Sequence, residues 1–214
     1  MTSGFAFPSL YAIIDPEFSS ISVAALASQL AAAGVNLIQL RDKRSSSSKI
    51  LATARELNDL LARKNVRFLL NDRPDIAAIV GCGVHVGQED LPPDDARKIV
   101  GPTRWVGVST HNLDQLRQAD RTSADYIAIG PIFPTSTKVN PDPVVGLDFI
   151  RAARAITRKP LVAIGGITLE KSADVFQAGA DSVAIIRDLG AAENPGARAR
   201  EFLAVAEQSR TPRR

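Results

Sequence analysis

Two hydrophobic rhythms alternate along the chain. Short apolar runs of roughly four to six residues are each followed by a longer stretch in which apolar residues return every three or four positions. The first kind reads as buried strands, the second as amphipathic helices. Strands are expected at 10–14, 37–42, 67–70, 83–87, 105–108, 126–129, 161–164 and 182–186. Helices are expected at 22–33, 47–64, 76–80, 92–99, 113–119, 147–157, 169–177 and 197–207. Local chemistry marks their ends. Gly34 and Gly179 close the first and seventh helices, Pro93 falls in the first turn of the fourth, and Asn112 is placed to cap the fifth. Strict alternation requires parallel strands with the helices outside. Eight such units close into a (β/α)8 TIM barrel, with an open, doubly wound sheet as the alternative.

Within this pattern the stretch Leu37-Ile-Gln-Leu-Arg-Asp-Lys43 stands out. Leu37, Ile38 and Leu40 supply a buried strand, while Gln39, Arg41 and Lys43 share one face of an extended backbone. Cations at the end of a buried strand are expensive unless something anionic sits opposite. The other strands end in polar residues too: Asp15; Asn71 and Asp72; Gln88 and Asp90; Ser109 and His111; Gly165 and Gly166; Arg187. In a barrel these ends form one face, where catalysis sits. Taken singly, Asp15 reads as a turn residue and Asp90 as a possible cap for the helix that starts at Pro92. The loop 132–146, with Thr135-Ser-Thr-Lys138, is long for a plain connection and reads as an active-site lid.

The chemistry these residues suggest is that of phosphates. Asp72 and Asp90, at the ends of adjacent strands, suit Mg²⁺, which takes one or two protein carboxylates and completes its shell with water and substrate phosphate. Arg41, Lys43 and Lys138 carry the charge a diphosphate needs. Gly165-Gly166 and the 186–187 peptide are placed for a monophosphate cradle of backbone N–H groups. His85 lies inside a strand and reads as structural, whereas His111 shares the facing of Ser109.

Composition narrows the partners. The formal net charge of +3 equals the charge of the three arginines in 210–214, so the body is near neutral. Aromatic residues are few and not interleaved with basic ones. Neither fact favours a nucleic-acid or membrane partner. No apolar run approaches a membrane span and no secretory signal is visible at the start of the sequence. The single Cys82 reads as a packed thiol, and a cytoplasmic location fits. One barrel domain is expected over 1–209, with a loose basic tail at 210–214; a homo-oligomer is compatible with the sequence.

In sequence order, Gln39-Leu-Arg-Asp-Lys43, Asn71-Asp-Arg73, Gly83-Val-His-Val-Gly-Gln-Glu-Asp90, Val108-Ser-Thr-His111, Gly130-Pro131, Thr135-Ser-Thr-Lys138, Pro160-Leu-Val-Ala-Ile-Gly-Gly-Ile167 and Ser182-Val-Ala-Ile-Ile186 resemble the thiamine phosphate synthase family. The resemblance runs from about residue 10 to 190. It implies condensation of 4-amino-5-hydroxymethyl-2-methylpyrimidine diphosphate with a thiazole phosphate, or its carboxylated form, to thiamine phosphate and diphosphate, through a Mg²⁺-assisted dissociative step. It implies that Gln39, Arg41, Lys43, Asn71, Ser109 and Lys138 hold the pyrimidine diphosphate, with Leu40 and Asp42 in the same segment. Arg41, Lys43, Ser109 and Lys138 are then the catalytic group, and Asp72 and Asp90 the metal ligands. Thr135, Thr137, Gly166 and the peptide of Ile186 and Arg187 fall to the thiazole phosphate, with Ser136 a further substrate-binding residue. Arg187 departs from the family, whose last strand usually runs into a serine. Two rivals share the barrel. A thiazole tautomerase would use an acid–base group such as His111 without a metal, and a phosphate-ligand sensor would bind without turnover.

Overall fold

A computed structural model describes residues 7–137 and 142–209. Among these residues, eight strands form one closed parallel barrel in chain order: β1 Leu10–Ile14, β2 Leu37–Leu40, β3 Arg67–Asn71, β4 Gly83–Val86, β5 Val106–Thr110, β6 Tyr126–Ile129, β7 Leu161–Ile164 and β8 Ser182–Ile185. The helices between them are α1 Val23–Ala32, α2 Ser47–Ala62, α3 Pro74–Val80, α4 Pro93–Val100, α5 Leu113–Asp120, α6 Gly146–Ile156 and α7 Leu169–Gln177. Two more follow β8: α8 Arg187–Gly190 and α9 Pro195–Ser209. The sheet is closed, so the open doubly wound alternative is excluded. α8 and a single 3₁₀ turn, Pro16–Phe18, are not foreseen by the hydrophobic pattern, since elements of three or four residues are too short to show a period. β2 ends at Leu40, so Arg41 to Lys43 belong to the loop beyond it. The basic tail at 210–214 lies outside the described residues. No helix among the described residues is long and apolar enough to cross a membrane.

Each strand is buried on both faces, and its period of two sorts side chains into two cores. Leu10, Ala12 and Ile14 of β1, with Ile38, Leu40, Leu70 and Ile127, pack outward against the helices. Tyr11, Ile13, Leu37, Leu69, Tyr126, Ala128, Val162 and Ala184 fill the barrel itself. At its lower end Phe7 stacks on Trp105 with ring centroids 5.1 Å apart, Tyr126 packs against both, and the Arg67 guanidinium lies 4.2 Å from the Trp105 ring centre. The interior is thus plugged from below.

The same device closes the start of two strands. Ala124-Asp-Tyr-Ile-Ala-Ile129 and Ala180-Asp-Ser-Val-Ala-Ile185 share a pattern. In the first, Asp125 accepts the Val106 N–H at 2.7 Å and pairs with Arg97. In the second, buried Asp181 accepts the Leu161 N–H at 2.8 Å and the Arg154 guanidinium at 2.9 Å. Each carboxylate gives a partner to the first amide of the preceding strand, which would otherwise be left without one at the barrel's edge.

Room for the interior rings comes from glycine. A Cβ on Gly107 would lie 2.0 Å from Cζ of Tyr126. Tyr126 is fully buried and cannot swing aside, so overpacking must strain the core. Gly107→Ala should therefore destabilise the fold by about 3 kcal/mol. The urea midpoint reads this directly, and an unchanged midpoint would show that the interior is loosely packed.

Candidate active site

A cavity of about 370 Å³ opens where the strands end. Its two sides differ in kind. On the first, successive strands β2 to β5 contribute Gln39, Asn71, His85 and Ser109. These side chains point inward together because parallel register sets Gln39 beside Leu69, Asn71 beside His85, and Ser109 two residues beyond Gly107, the partner of His85. On the second, Ile13, Ile164, Ala184 and Ile186 make an aliphatic wall. Over the mouth stand Thr135 to Thr137, Gly165, Gly166 and Arg187.

Polar groups in this setting must bond to one another. Gln39 Nε2 donates to Asn71 Oδ1 at 3.1 Å, and Tyr11 Oη donates to Gln39 Oε1 at 2.5 Å. Tyr11 Oη and Tyr126 Oη are 2.9 Å apart. His85 joins the set through Nδ1, 2.8 Å from Tyr126 Oη, and Nε2, 2.9 Å from Ser109 Oγ. His85 therefore lies within the site rather than apart from it. The signal available in the sequence was its place near the end of a strand on the same alternation as Gly83 and Gly87, where the backbone is closely approached.

The cations come paired. Arg41 lines the cavity and is held by buried Asp15, which also accepts the Glu17 N–H at 3.0 Å. Asp15 thus serves its turn and Arg41 at once. Lys43 Nζ lies 3.1 Å from Asp72 Oδ2. Asp72 sits at φ 60°, the left-handed region that Asp enters more readily than most residues, held by its N–H donating to the His85 carbonyl at 2.8 Å. Burial and the neighbouring Asp90, through a shared hydrogen bond and its charge, push the Asp72 carboxyl up to about 6, against the pull of Lys43. Asp90 does not cap α4. Its Oδ2 accepts the Gly87 N–H at 2.7 Å, and Pro92 takes the cap position without a side-chain bond. Leu91 intervenes, so the carboxylate folds back onto its own turn, beside Asp72.

This donor set is two carboxylates that meet closely enough to share a proton. Among the described residues no group of three or more His, Cys, Asp or Glu gathers. Two carboxylates suit a hard dication that draws its remaining ligands from water and phosphate, and suit zinc poorly.

Not every expected residue reaches the cavity. Leu40 is fully buried in the outer core and does not line the cavity. Asp42 does turn work: its Oδ1 accepts the Ser45 and Arg44 N–H groups at 2.9 and 3.1 Å, which hold its carboxyl below the usual range although partial burial opposes them. Lys43, Asp72 and Asp90 stand beside the cavity, outside its lining. Lys138 lies outside the described residues, as does part of the expected lid. Cys82 is buried and free, its thiol pushed up to about 12 by burial, which fits a packed residue.

The mouth carries the remaining groups. Gly166 has φ 62°, and a Cβ there would come within 2.3 Å of the Pro134 carbonyl oxygen, so only glycine lets the loop from β6 lie against it. Thr135 Oγ1 lies 3.3 Å from Thr137 Oγ1 and from Thr137 N. Arg187 opens α8 and reaches across: Nη1 donates to Ser136 Oγ at 2.9 Å, while the guanidinium packs 4.3 Å from the centre of the Phe18 ring. His111 also lines the cavity. Its Nδ1 lies 2.6 Å from the Gly130 carbonyl oxygen and its Nε2 3.4 Å from Asp142, so it ties β5 to the loop beyond β6.

Comparison with known proteins bears on the fold and the family. The family model described as thiamine monophosphate synthase matches residues 10–189. A thiamine-phosphate synthase of Koribacter versatilis is 54% identical over 96% of this chain and 99% of its own. One of Shouchella clausii is 40% identical over 94% and 97%. Among solved structures, a thiamine phosphate pyrophosphorylase from Pyrococcus furiosus superposes with a TM-score of 0.86 at 28% identity, covering 94% of this chain and 96% of that one.

The carboxylate pair has a consequence for pH. Asp72 titrates near 6 in the folded protein against an ordinary 3.8, so between these values the folded state holds the extra proton. The stability this contributes to the metal-free protein is complete below the ordinary value and is lost as pH rises through about 6. Asp90→Ala removes both the hydrogen bond and the charge that raise Asp72. The Asp72 carbon resonance should then titrate at lower pH, and the metal-free protein should lose less stability between about pH 4 and 6. An unmoved Asp72 titration would place the cause in burial alone.

Proposed function

The chain belongs to the thiamine monophosphate synthase family, and from that premise we propose that its cavity joins 4-amino-5-hydroxymethyl-2-methylpyrimidine diphosphate to a thiazole phosphate, yielding thiamine phosphate and diphosphate. The observation that carries this reading is the division of one cavity into a polar side on β2 to β5 and an aliphatic side, under a mouth bordered by Thr135 to Thr137, Gly166 and Arg187. Such a lining suits two ring substrates of different polarity, one of them held by the residues at the mouth, Thr135 to Thr137, Gly166 and Arg187.

Gln39, Asn71 and Ser109 border the pyrimidine, whose nitrogens need hydrogen-bond partners. Arg41 and Lys43 face the diphosphate, joined by Lys138, and lower the barrier by meeting the charge that grows on the leaving oxygen. The bond from the pyrimidine methylene carbon to that oxygen breaks, and the thiazole nitrogen forms the new bond to the carbon. No proton need move, so no general base is required. Thr135, Thr137, the Gly166 backbone and the 186–187 peptide suit the thiazole phosphate, and the thiazole ring rests on the wall of Ile13, Ile164 and Ile186. Asp72 and Asp90 are the residues that would hold Mg²⁺, which supplies positive charge against the departing diphosphate when bound. Lys43, now on Asp72, then has the diphosphate as its alternative partner. A cytoplasmic location accords with this reading and with the free, buried Cys82. His111 has the Gly130 carbonyl and Asp142 beside its two nitrogens, an arrangement that favours a structural tie over a tautomerase acid–base role.

The reading is tested by supplying both substrates with Mg²⁺ and following thiamine phosphate as thiochrome fluorescence. Product should accumulate, and Asp72→Ala or Asp90→Ala should lower kcat/KM by about 100-fold or more, a loss of about 2.7 kcal/mol in transition-state stabilisation. Full activity in excess EDTA would remove the metal from the scheme.

Arg187 gives a separate prediction. It stands at the mouth, already oriented by Phe18 and Ser136, and a guanidinium there can meet a phosphate with charge-assisted bonds. Arg187→Ala should raise KM for the thiazole phosphate about tenfold, equivalent to about 1.4 kcal/mol, and leave KM for the pyrimidine diphosphate nearly unchanged. Equal effects on both substrates would make it a loop strut only.

A further inference from the structure

The hydrogen bonds beneath the cavity form one unbroken chain: Asn71, Gln39, Tyr11, Tyr126, His85, Ser109. Only its two ends, with the inner faces of Gln39 and His85, touch the cavity; the two phenols lie fully buried below. A chain of this kind has a direction. Each hydroxyl owns one proton, so a hydroxyl that donates on one side must accept on the other.

The direction follows from the Gln39 end. Tyr11 gives its proton to Gln39 Oε1, so its oxygen accepts from Tyr126. Tyr126 has then used its own proton, and its oxygen accepts from His85 Nδ1–H. The neutral imidazole keeps one proton, so Nε2 is a lone pair and Ser109 Oγ–H donates to it. At one end, Ser109 has its proton committed and offers the cavity an acceptor. At the other, Gln39 Nε2–H occupies Asn71 Oδ1, so Asn71 offers its NH₂. Run the other way, the same six residues would offer a hydroxyl proton at Ser109 and a carbonyl at Asn71. Burial pushes both phenols far above their ordinary pKa, so neither loses the proton that the chain depends on.

We propose that this buried chain sets the hydrogen-bond polarity of the pyrimidine site, so that the protein selects an amino-pyrimidine over its oxo counterpart, with Tyr11, Tyr126 and His85 as positioning residues. An exocyclic amine donates where Ser109 accepts, and the ring nitrogen beside it accepts where Asn71 donates. In the oxo-pyrimidine both are reversed: a carbonyl oxygen faces the Ser109 lone pairs, and a ring N–H faces the Asn71 NH₂. Sites built on buried hydrogen bonds reject such mismatches by large factors, because both partners are left facing their own kind. The inference rests on the pyrimidine reading given above.

The test compares kcat/KM for the 4-amino pyrimidine diphosphate and its 4-oxo analogue, at saturating thiazole phosphate, in the wild-type protein and in Tyr126→Phe. The wild type should prefer the amine by about 100-fold or more. Tyr126→Phe breaks the chain in its middle and frees His85 to take the other tautomer, so the preference should fall about tenfold. KM for the thiazole phosphate should stay put, which a general loosening of the core would not allow. A wild-type preference below tenfold, or a fall of less than threefold in the variant, overturns the proposal; a larger fall supports it. Should Tyr126→Phe not fold, the His85 tautomer in the wild type decides. The chain has only two histidines, so ¹⁵N spectra of the histidine-labelled protein separate His85 from His111. His85 should be neutral with its proton on Nδ1, and a proton on Nε2, alone or in addition, overturns the proposal. A wild type that makes no thiamine phosphate from the amino substrate sinks the functional reading instead and leaves the tautomer result standing on its own.

Discussion

A polar side chain that points into a closed barrel has no bulk water to turn to, so it must find its partner inside. That constraint organises this protein more than any single contact. Eight strands send every second side chain toward one axis. Most of those positions are aliphatic or aromatic, and the polar ones that border the cavity, Gln39, Asn71, His85 and Ser109, are gathered on four adjacent strands, where they satisfy one another; buried Ser182 on β8 is the exception, its Oγ having no partner among the described residues. Glycine at 107 makes space for the Tyr126 ring that completes the set, and glycine at 83 lets the Trp105 backbone lie close. Packing and polarity are therefore one problem here: the same Tyr126 ring that fills the lower barrel carries the hydroxyl that orients His85.

Much of this was open to a reader of the sequence, for identifiable reasons. The barrel followed from strict alternation of two hydrophobic periods, and the strands fell on the short apolar runs between the helical stretches. Gln39, Asn71 and Ser109 could be picked out because each stands at a strand's end next to charge or a turn. Other parts were hidden. Tyr11 and Tyr126 looked like ordinary strand residues, since nothing in a sequence says that two hydroxyls 115 positions apart will meet. His85 was read as structural because its facing depends on register with β3 and β5, which no local pattern encodes. Asp90 was a plausible cap until its carboxylate was seen to close its own turn. The pairing of Arg41 with Asp15 joins two strand ends that only the closed sheet makes neighbours.

Structural and chemical duties are also separated along the barrel axis. At the lower end, Asp125 and Asp181 tie strand amides to arginines from the preceding helices. At the upper end, Asp72 and Asp90 face each other with Lys43 as their only close cation among the contacts described, an arrangement that costs stability in the absence of a bound cation. One pair of carboxylates makes the fold firm; the other is kept under strain. A fold that tolerates repulsion at one end needs rigidity elsewhere, and the repeated Ala-Asp motif at the start of β6 and β8 supplies it.

The plug of Phe7, Trp105 and Tyr126 has a bearing on solvent traffic. Among the described residues the barrel is stoppered below, so a water molecule approaches the reacting carbon through the mouth bordered by Thr135 to Thr137, Arg187 and the His111 tie to Asp142. An electron-poor pyrimidine methylene carbon in that space has two possible captors, the thiazole nitrogen and water. The leak toward wasteful hydrolysis is then governed by how well the thiazole phosphate corks that opening, more than by the barrel floor.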